Sequence, residues 1–165
     1  MEKEKLRRII RDTVIKKQIE KFDSYYVPVA ISNRHAHISA EDVESLFGKG
    51  YKLTKVRELS QPGQFVCKEK VSLVGSKGRI DNVRVLGPSR KETQVEISTT
   101  DSYILGVKAP IRMSGGIDGT PGIKVVGPKG EIDLPKGLIV SARHLHISED
   151  EARLFGLKNG DLVMI

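Results

Sequence analysis

Ile31-Ser32-Asn33-Arg34-His35-Ala36-His37-Ile38-Ser39 and Val140-Ser141-Ala142-Arg143-His144-Leu145-His146-Ile147-Ser148 are two copies of one segment. Together they hold all 4 histidines of the 165-residue chain. Each copy ends on a serine, Ser39 or Ser148, followed three residues on by an acid, Asp42 or Glu151. That is the spacing at which a helix N-cap and the third helical residue satisfy each other's backbone N–H groups. Leu-Phe-Gly then recurs in both, and Gly48 and Gly156 are suited to end each helix in the left-handed conformation. Each copy therefore reads as strand, His-x-His, then one short capped helix.

Outward from the repeat, Val- and Ile-rich runs at residues 27–32, 65–75, 80–88, 93–98, 103–107, 123–132, 138–143 and 161–165 alternate with Gly and Pro. Such punctuation predicts antiparallel strands, with hairpin turns at residues 75–78 and 127–130. Many short strands on a small chain predict closed β-barrels, so the fold class is mainly β with short capping helices. Residues 2–22 contain neither Gly nor Pro and place Leu6, Ile9, Ile10, Val14 and Phe22 roughly on one face, predicting an N-terminal amphipathic helix. Asp23-Ser24 ends that helix, and Tyr25-Tyr26-Val27-Pro28 begins an extended segment.

The formal net charge of +7 favours anionic partners, but most of the excess lies in the first helix. Basic and aromatic residues do not interleave, so no nucleic-acid partner is expected. Cys67 is the single cysteine, which excludes an internal disulfide and fits a reducing compartment. It has no neighbouring histidine and reads as structural. No apolar stretch approaches the ~20 residues that cross a bilayer, and the N-terminus lacks the apolar centre of a secretory signal. The expectation is a soluble cytoplasmic protein without a membrane partner.

In a strand, residues i and i+2 face the same way, about 6.5–7 Å apart, so two imidazoles can converge on one cation. His35 with His37, and His144 with His146, form two such pairs. Neutral imidazole suits zinc, which takes about four ligands. A single His-x-His is commonly strand-end surface; two in the same local sequence, with no other histidine, point to metal. Either both pairs meet at one ion or each recruits further ligands. Glu96, an acid between Val95 and Ile97 in a strand-like run, is the best further ligand, with an exposed strand face as the alternative. Arg90, in a turn with Ser89 and Lys91, has the fork that fits oxyanions, though taken alone the stretch reads as an ordinary solvated turn. Ser114 opens a Gly-rich segment whose backbone N–H groups are suited to an anion nest. Arg34 and Arg143 point away from the histidines by strand alternation, which leaves packing or salt-bridge roles open beside catalytic ones.

The paired motifs, with Gln94-Val95-Glu96-Ile97-Ser98 and Arg112-Met113-Ser114-Gly115-Gly116 between them, resemble the PduL-type phosphotransacylases, also called phosphate propanoyltransferases, from about Val27 onward. The resemblance implies the reaction of a short-chain acyl-CoA, such as propanoyl-CoA or acetyl-CoA, with phosphate to give acyl-phosphate and CoA. It implies two zinc ions between two β-barrels. His35, His37 and Glu96 would hold the first, and His144 and His146 the second. Arg90 would bind phosphate and Ser114 would line the same site. It divides the chain into the N-terminal helix at residues 1–23, one barrel from residues 24–33 plus 142–165, and the other from residues 34–141. Family members continue past the counterpart of Ile165, so the first-named barrel is expected to be incomplete here, with a third histidine of the second metal missing. Some members use an N-terminal helix to enter bacterial microcompartments, as in propanediol degradation. A shell partner through residues 1–22 inside a microcompartment and a free cytosolic enzyme are both left open, and a homo-oligomer is expected. The alternatives are a metal-dependent thioester hydrolase and a non-catalytic metal-binding β-barrel module.

Overall fold

The computed structural model describes residues 2–22 and 29–164. Residues 23–28, where the sequence ends the first helix and begins an extended segment, lie outside the described residues, as does the side chain of Phe22. The chain divides into two units, one of Ser32–His144 and one of Met1–Ile31 with Leu145–Ile165.

The smaller unit is helical, with α1 (Glu2–Phe22) and α4 (Glu149–Phe155) in contact. Its covered stripe centres on Ile15, 4% exposed, whereas Leu6, Ile9, Ile10 and Val14 are about half exposed. The apolar face predicted from sequence is thus the outer one. Polar contacts also join α1 to α4: Arg8 pairs with Asp150 at 3.6 Å, and Arg11 reaches the Ser148 hydroxyl at 3.4 Å. Ser148 and Glu151 form the predicted capping box, and Gly156 closes α4 in the left-handed conformation.

The larger unit carries β1 (His35–Ser39), α2 (Ala40–Phe47), β2 (Lys55–Glu58), β3 (Phe65–Val74), β4 (Arg79–Arg90), β5 (Gln94–Ile97), α3 (Thr99–Leu105), β6 (Ile111–Arg112), β7 (Ile123–Val126), β8 (Glu131–Leu134) and β9 (Leu138–Ser141). All nine strands join one half-barrel sheet in the order β6-β9-β5-β1-β4-β3-β7-β8, with β2 on β3. The mainly β class read from the sequence is what the chain forms, with no helix among the described residues long and apolar enough to cross a membrane. Both predicted hairpin turns are present, each closed by a backbone bond: Gly75 N to Gly78 O at 2.9 Å, and Gly127 N to Gly130 O at 2.8 Å.

Three expectations change. The sheet is mixed, because β1–β4, β5–β9 and β6–β9 pair in parallel. Parallel partners need crossovers, which local turn signals do not reveal. The run at residues 103–107 falls largely in α3, where Ser98 and Asp101 build a capping box that overrides the β preference of Tyr103 and Ile104. The runs at residues 29–32 and 161–164 are not strands; among the described residues they have no ladder partner, and Val29, Ile31, Leu162 and Met164 stay exposed.

A second repeat lies within this unit. β1 leads through Ser39 into α2, with the Asp42 N–H bonded to the serine; β5 leads through Ser98 into α3 in the same way at Asp101. Each helix ends against the other half's hairpin turn: Lys129 N donates to Leu46 O at 3.0 Å, and Lys77 N to Leu105 O at 3.2 Å. Helix ends leave unsatisfied carbonyls, and these turns supply the donors. The approach is so close that a Cβ at Gly75 would stand 2.0 Å from Leu105 O, and one at Gly127 would stand 2.4 Å from Leu46 O.

Gly75→Ala and Gly127→Ala are each expected to cost roughly 2–4 kcal/mol in urea unfolding, because backbone has to move to admit the methyl group. Gly63→Ala, where a Cβ meets nothing within 4 Å, should lose only the ~1 kcal/mol of the left-handed conformation. Equal losses at all three positions would contradict this packing.

Candidate metal and anion site

β1 and β5 lie side by side and antiparallel, with His35 opposite Glu96 and His37 opposite Gln94. Ala36, Ile38, Val95 and Ile97 turn into the core, so strand alternation sends the two histidines, Gln94 and Glu96 to the opposite face. Glu96 is 5% exposed, which removes the exposed-strand alternative for it. The ligand atoms of His35, His37 and Glu96 lie within 4.8 Å of one another, the one such group of three or more among the described residues.

Hydrogen bonds fix which ring nitrogens point into the group. His35 Nδ1 donates to the Asn33 carbonyl at 2.8 Å, leaving Nε2 3.5 Å from Glu96 Oε2. His37 Nε2 lies 3.0 Å from an Arg90 terminal nitrogen. A guanidinium only donates, so this imidazole nitrogen accepts and is unprotonated. Burial, then the nearby charge of Arg90, lowers the His37 pKa to about 3. Burial alone would lower that of His35, but Glu96 and the Asn33 carbonyl outweigh it, and the net shift is upward. Burial would raise the Glu96 pKa, yet His35 pulls it down to about 2. Two imidazoles and an ionised carboxylate, one imidazole oriented by a carbonyl behind it, are a donor set suited to a zinc-like cation.

Arg90, at the end of β4, lies opposite Ser39 of β1. Its second terminal nitrogen donates to Ser114 Oγ at 3.1 Å, so one side chain spans the histidine group and the Gly-rich loop. Gly115 needs its freedom there, with φ at +91°. Gln94 Nε2 also donates to Ser114 Oγ, at 2.9 Å. Gln94 is not among the residues singled out from the sequence. The alternation that placed Glu96 inward places Gln94 there too, and that was the available signal.

The other singled-out residues fall elsewhere. Arg34 makes a two-pronged pair with Asp101, at 2.9 and 2.7 Å, which ties the start of β1 to α3. Burial raises the Asp101 pKa, but Arg34 and the Ser98 cap outweigh it and hold the carboxyl below its usual range. Cys67 is fully buried, and burial pushes its thiol up to about 11, consistent with an inert core residue. His144 Nδ1 lies 2.7 Å from the Ala142 carbonyl, the arrangement seen at His35, but His144 is exposed and outside the three-donor group. His146 is exposed and belongs to the smaller unit.

A family model described as phosphate propanoyltransferase matches residues 28–165. The phosphate propanoyltransferase of Thermotoga maritima is 56% identical over 137 residues, covering 83% of this chain and 65% of the relative. That of Clostridioides difficile is 48% identical over 158 residues, covering 96% of this chain and 74% of the relative. That of Salmonella typhimurium is 44% identical over 153 residues, covering 93% and 72%.

Without added metal, the His37 ring should remain neutral, with Nε2 unprotonated, from pH 8 down to pH ~4 in long-range nitrogen–proton NMR spectra. His35 should titrate above an ordinary histidine. Arg90→Met removes a cation that disfavours imidazolium, so it should raise the His37 pKa; an unchanged value would show that Arg90 does not hold this nitrogen.

Proposed function

The chain belongs to the phosphate propanoyltransferase family, and from that premise we propose that its site takes part in acyl transfer between a short-chain acyl-CoA and phosphate. His35, His37 and Glu96 would hold a divalent cation, with zinc favoured by the nitrogen-rich donor set. The bound cation would supply Lewis acidity toward the thioester carbonyl and a soft partner for sulfur. His144 and His146 are assigned to the second metal of the family arrangement, and the two barrels to residues 34–141 and to residues 24–33 with 142–165.

The observation that carries this reading is the Arg90 side chain, which bridges His37 and Ser114 and so sets an anion-binding fork beside the cation donors. A guanidinium neutralises and orients phosphate while keeping two parallel donors on its oxygens. A phosphate oxygen then attacks the thioester carbonyl carbon. The carbonyl π electrons move to oxygen, return as the carbon–sulfur bond breaks, and CoA leaves as thiolate and takes up a proton. The chain needs no acyl-enzyme for this. Ser114 Oγ already accepts from both Arg90 and Gln94, and Cys67 is sealed in the core, so neither is set up as a nucleophile.

Partners follow from the same premise. The exposed row of Leu6, Ile9, Ile10 and Val14 on α1 is assigned to docking on a protein shell, as in microcompartments, with homo-oligomers and the cytoplasm as the setting.

CoA release from propanoyl-CoA, followed with a thiol reagent, should depend on phosphate and leave no labelled acyl group on the protein when phosphate is omitted. Release at the same rate without phosphate would favour the thioester hydrolase; labelled protein would contradict direct attack; metal loss that unfolds the chain with no turnover at all would leave a structural metal module.

A further inference from the structure

Gln94 is 2% exposed, and a buried primary amide has to place two N–H donors and an acceptor oxygen. Its Oε1 accepts from Gly115 N at 2.7 Å, and its Nε2 donates to Glu96 Oε1 at 2.7 Å and to Ser114 Oγ at 2.9 Å. Turning the amide over would set its oxygen against a carboxylate and its N–H groups against a backbone N–H, so these three contacts fix one orientation.

Two consequences follow. Glu96 Oε1 is engaged by the amide, which leaves Oε2 as the oxygen facing His35 at 3.5 Å. Ser114 Oγ receives two donated hydrogens, from Gln94 and from Arg90, which uses both of its lone pairs. Its own O–H is then left to donate, and an oxyanion is the acceptor suited to it beside a guanidinium.

We propose that Gln94 is the positioning residue that joins the two halves of this site: it turns the Ser114 hydroxyl into a donor for a phosphate oxygen and, by holding Glu96 Oε1, keeps Oε2 on the His35 side, where the cation would sit. This rests on the cation and phosphate assignments above. Gln94 touches no substrate itself. Its position opposite His37 in the β1–β5 ladder is what lets one side chain reach both a cation donor and the Gly-rich loop.

The test uses the full chain with cobalt(II) and inorganic phosphate as probes. Cobalt affinity is measured against a competing chelator and phosphate affinity by calorimetry, for Gln94→Leu and Gln94→Met, each also combined with Ser114→Ala. Both single variants should weaken phosphate binding about tenfold or more, and Gln94→Leu should weaken cobalt binding by about tenfold, the scale at which partners behind metal ligands act. In the Ser114→Ala background neither change at Gln94 should weaken phosphate binding further. Gln94→Met keeps the length of the side chain without adding charge, so it decides the phosphate arm if Gln94→Leu does not fold. Folded variants with parental affinities, or phosphate penalties that simply add to that of Ser114→Ala, would overturn the proposal while leaving the site assignment standing. A parent chain that binds neither probe would overturn both.

Discussion

The β1–β5 register is the constraint on which the site depends. His35 faces Glu96 and His37 faces Gln94 because the two strands pair antiparallel, and the same pairing sends Ala36, Ile38, Val95 and Ile97 into the core. A slip of one residue would exchange the faces and bury the donors among aliphatic side chains. The core therefore enforces the geometry of the polar face. The two strand–helix halves, each started by a serine cap and ended against the other's hairpin turn, hold that register from both sides.

Charge is arranged around this frame so that the groups differ in protonation. His37 is kept neutral by burial and Arg90, while Glu96 is kept ionised by His35 despite burial. The same Arg90 that suppresses protonation of His37 also bonds to Ser114. A cation on the His37 nitrogen would contend with Arg90 for one lone pair, so under the proposed function the arginine's freedom to meet phosphate would be tied to occupancy of the three-donor group.

Much of this was legible in the residues. The serine–acid spacing after each His-x-His predicted α2 and α4, and the Gly-bounded turns predicted both hairpins. Alternation around Val95 and Ile97 made Glu96 the best further ligand but left an exposed strand face open, and the family resemblance put it with His35 and His37. What was not legible depends on contacts distant in sequence. The parallel pairing of β1 with β4 brings Arg90 beside Ser39, and no local pattern announces it. The Ser98–Asp101 cap was visible in principle, but Tyr103 and Ile104 read as strand. That the covered stripe of α1 centres on Ile15 and not on Leu6, Ile9, Ile10 and Val14 is set by tertiary packing, which periodicity alone does not decide.

In the proposed site, a cation held by His35, His37 and Glu96 stands beside a phosphate held by Arg90. Phosphorus-31 relaxation of inorganic phosphate in the presence of the cobalt(II)-loaded chain tests it most directly. Strong paramagnetic relaxation at the bound phosphate, lost in Arg90→Ala while cobalt remains bound, is the predicted result. Tightly bound cobalt that leaves phosphate relaxation no different from the metal-free chain would contradict it.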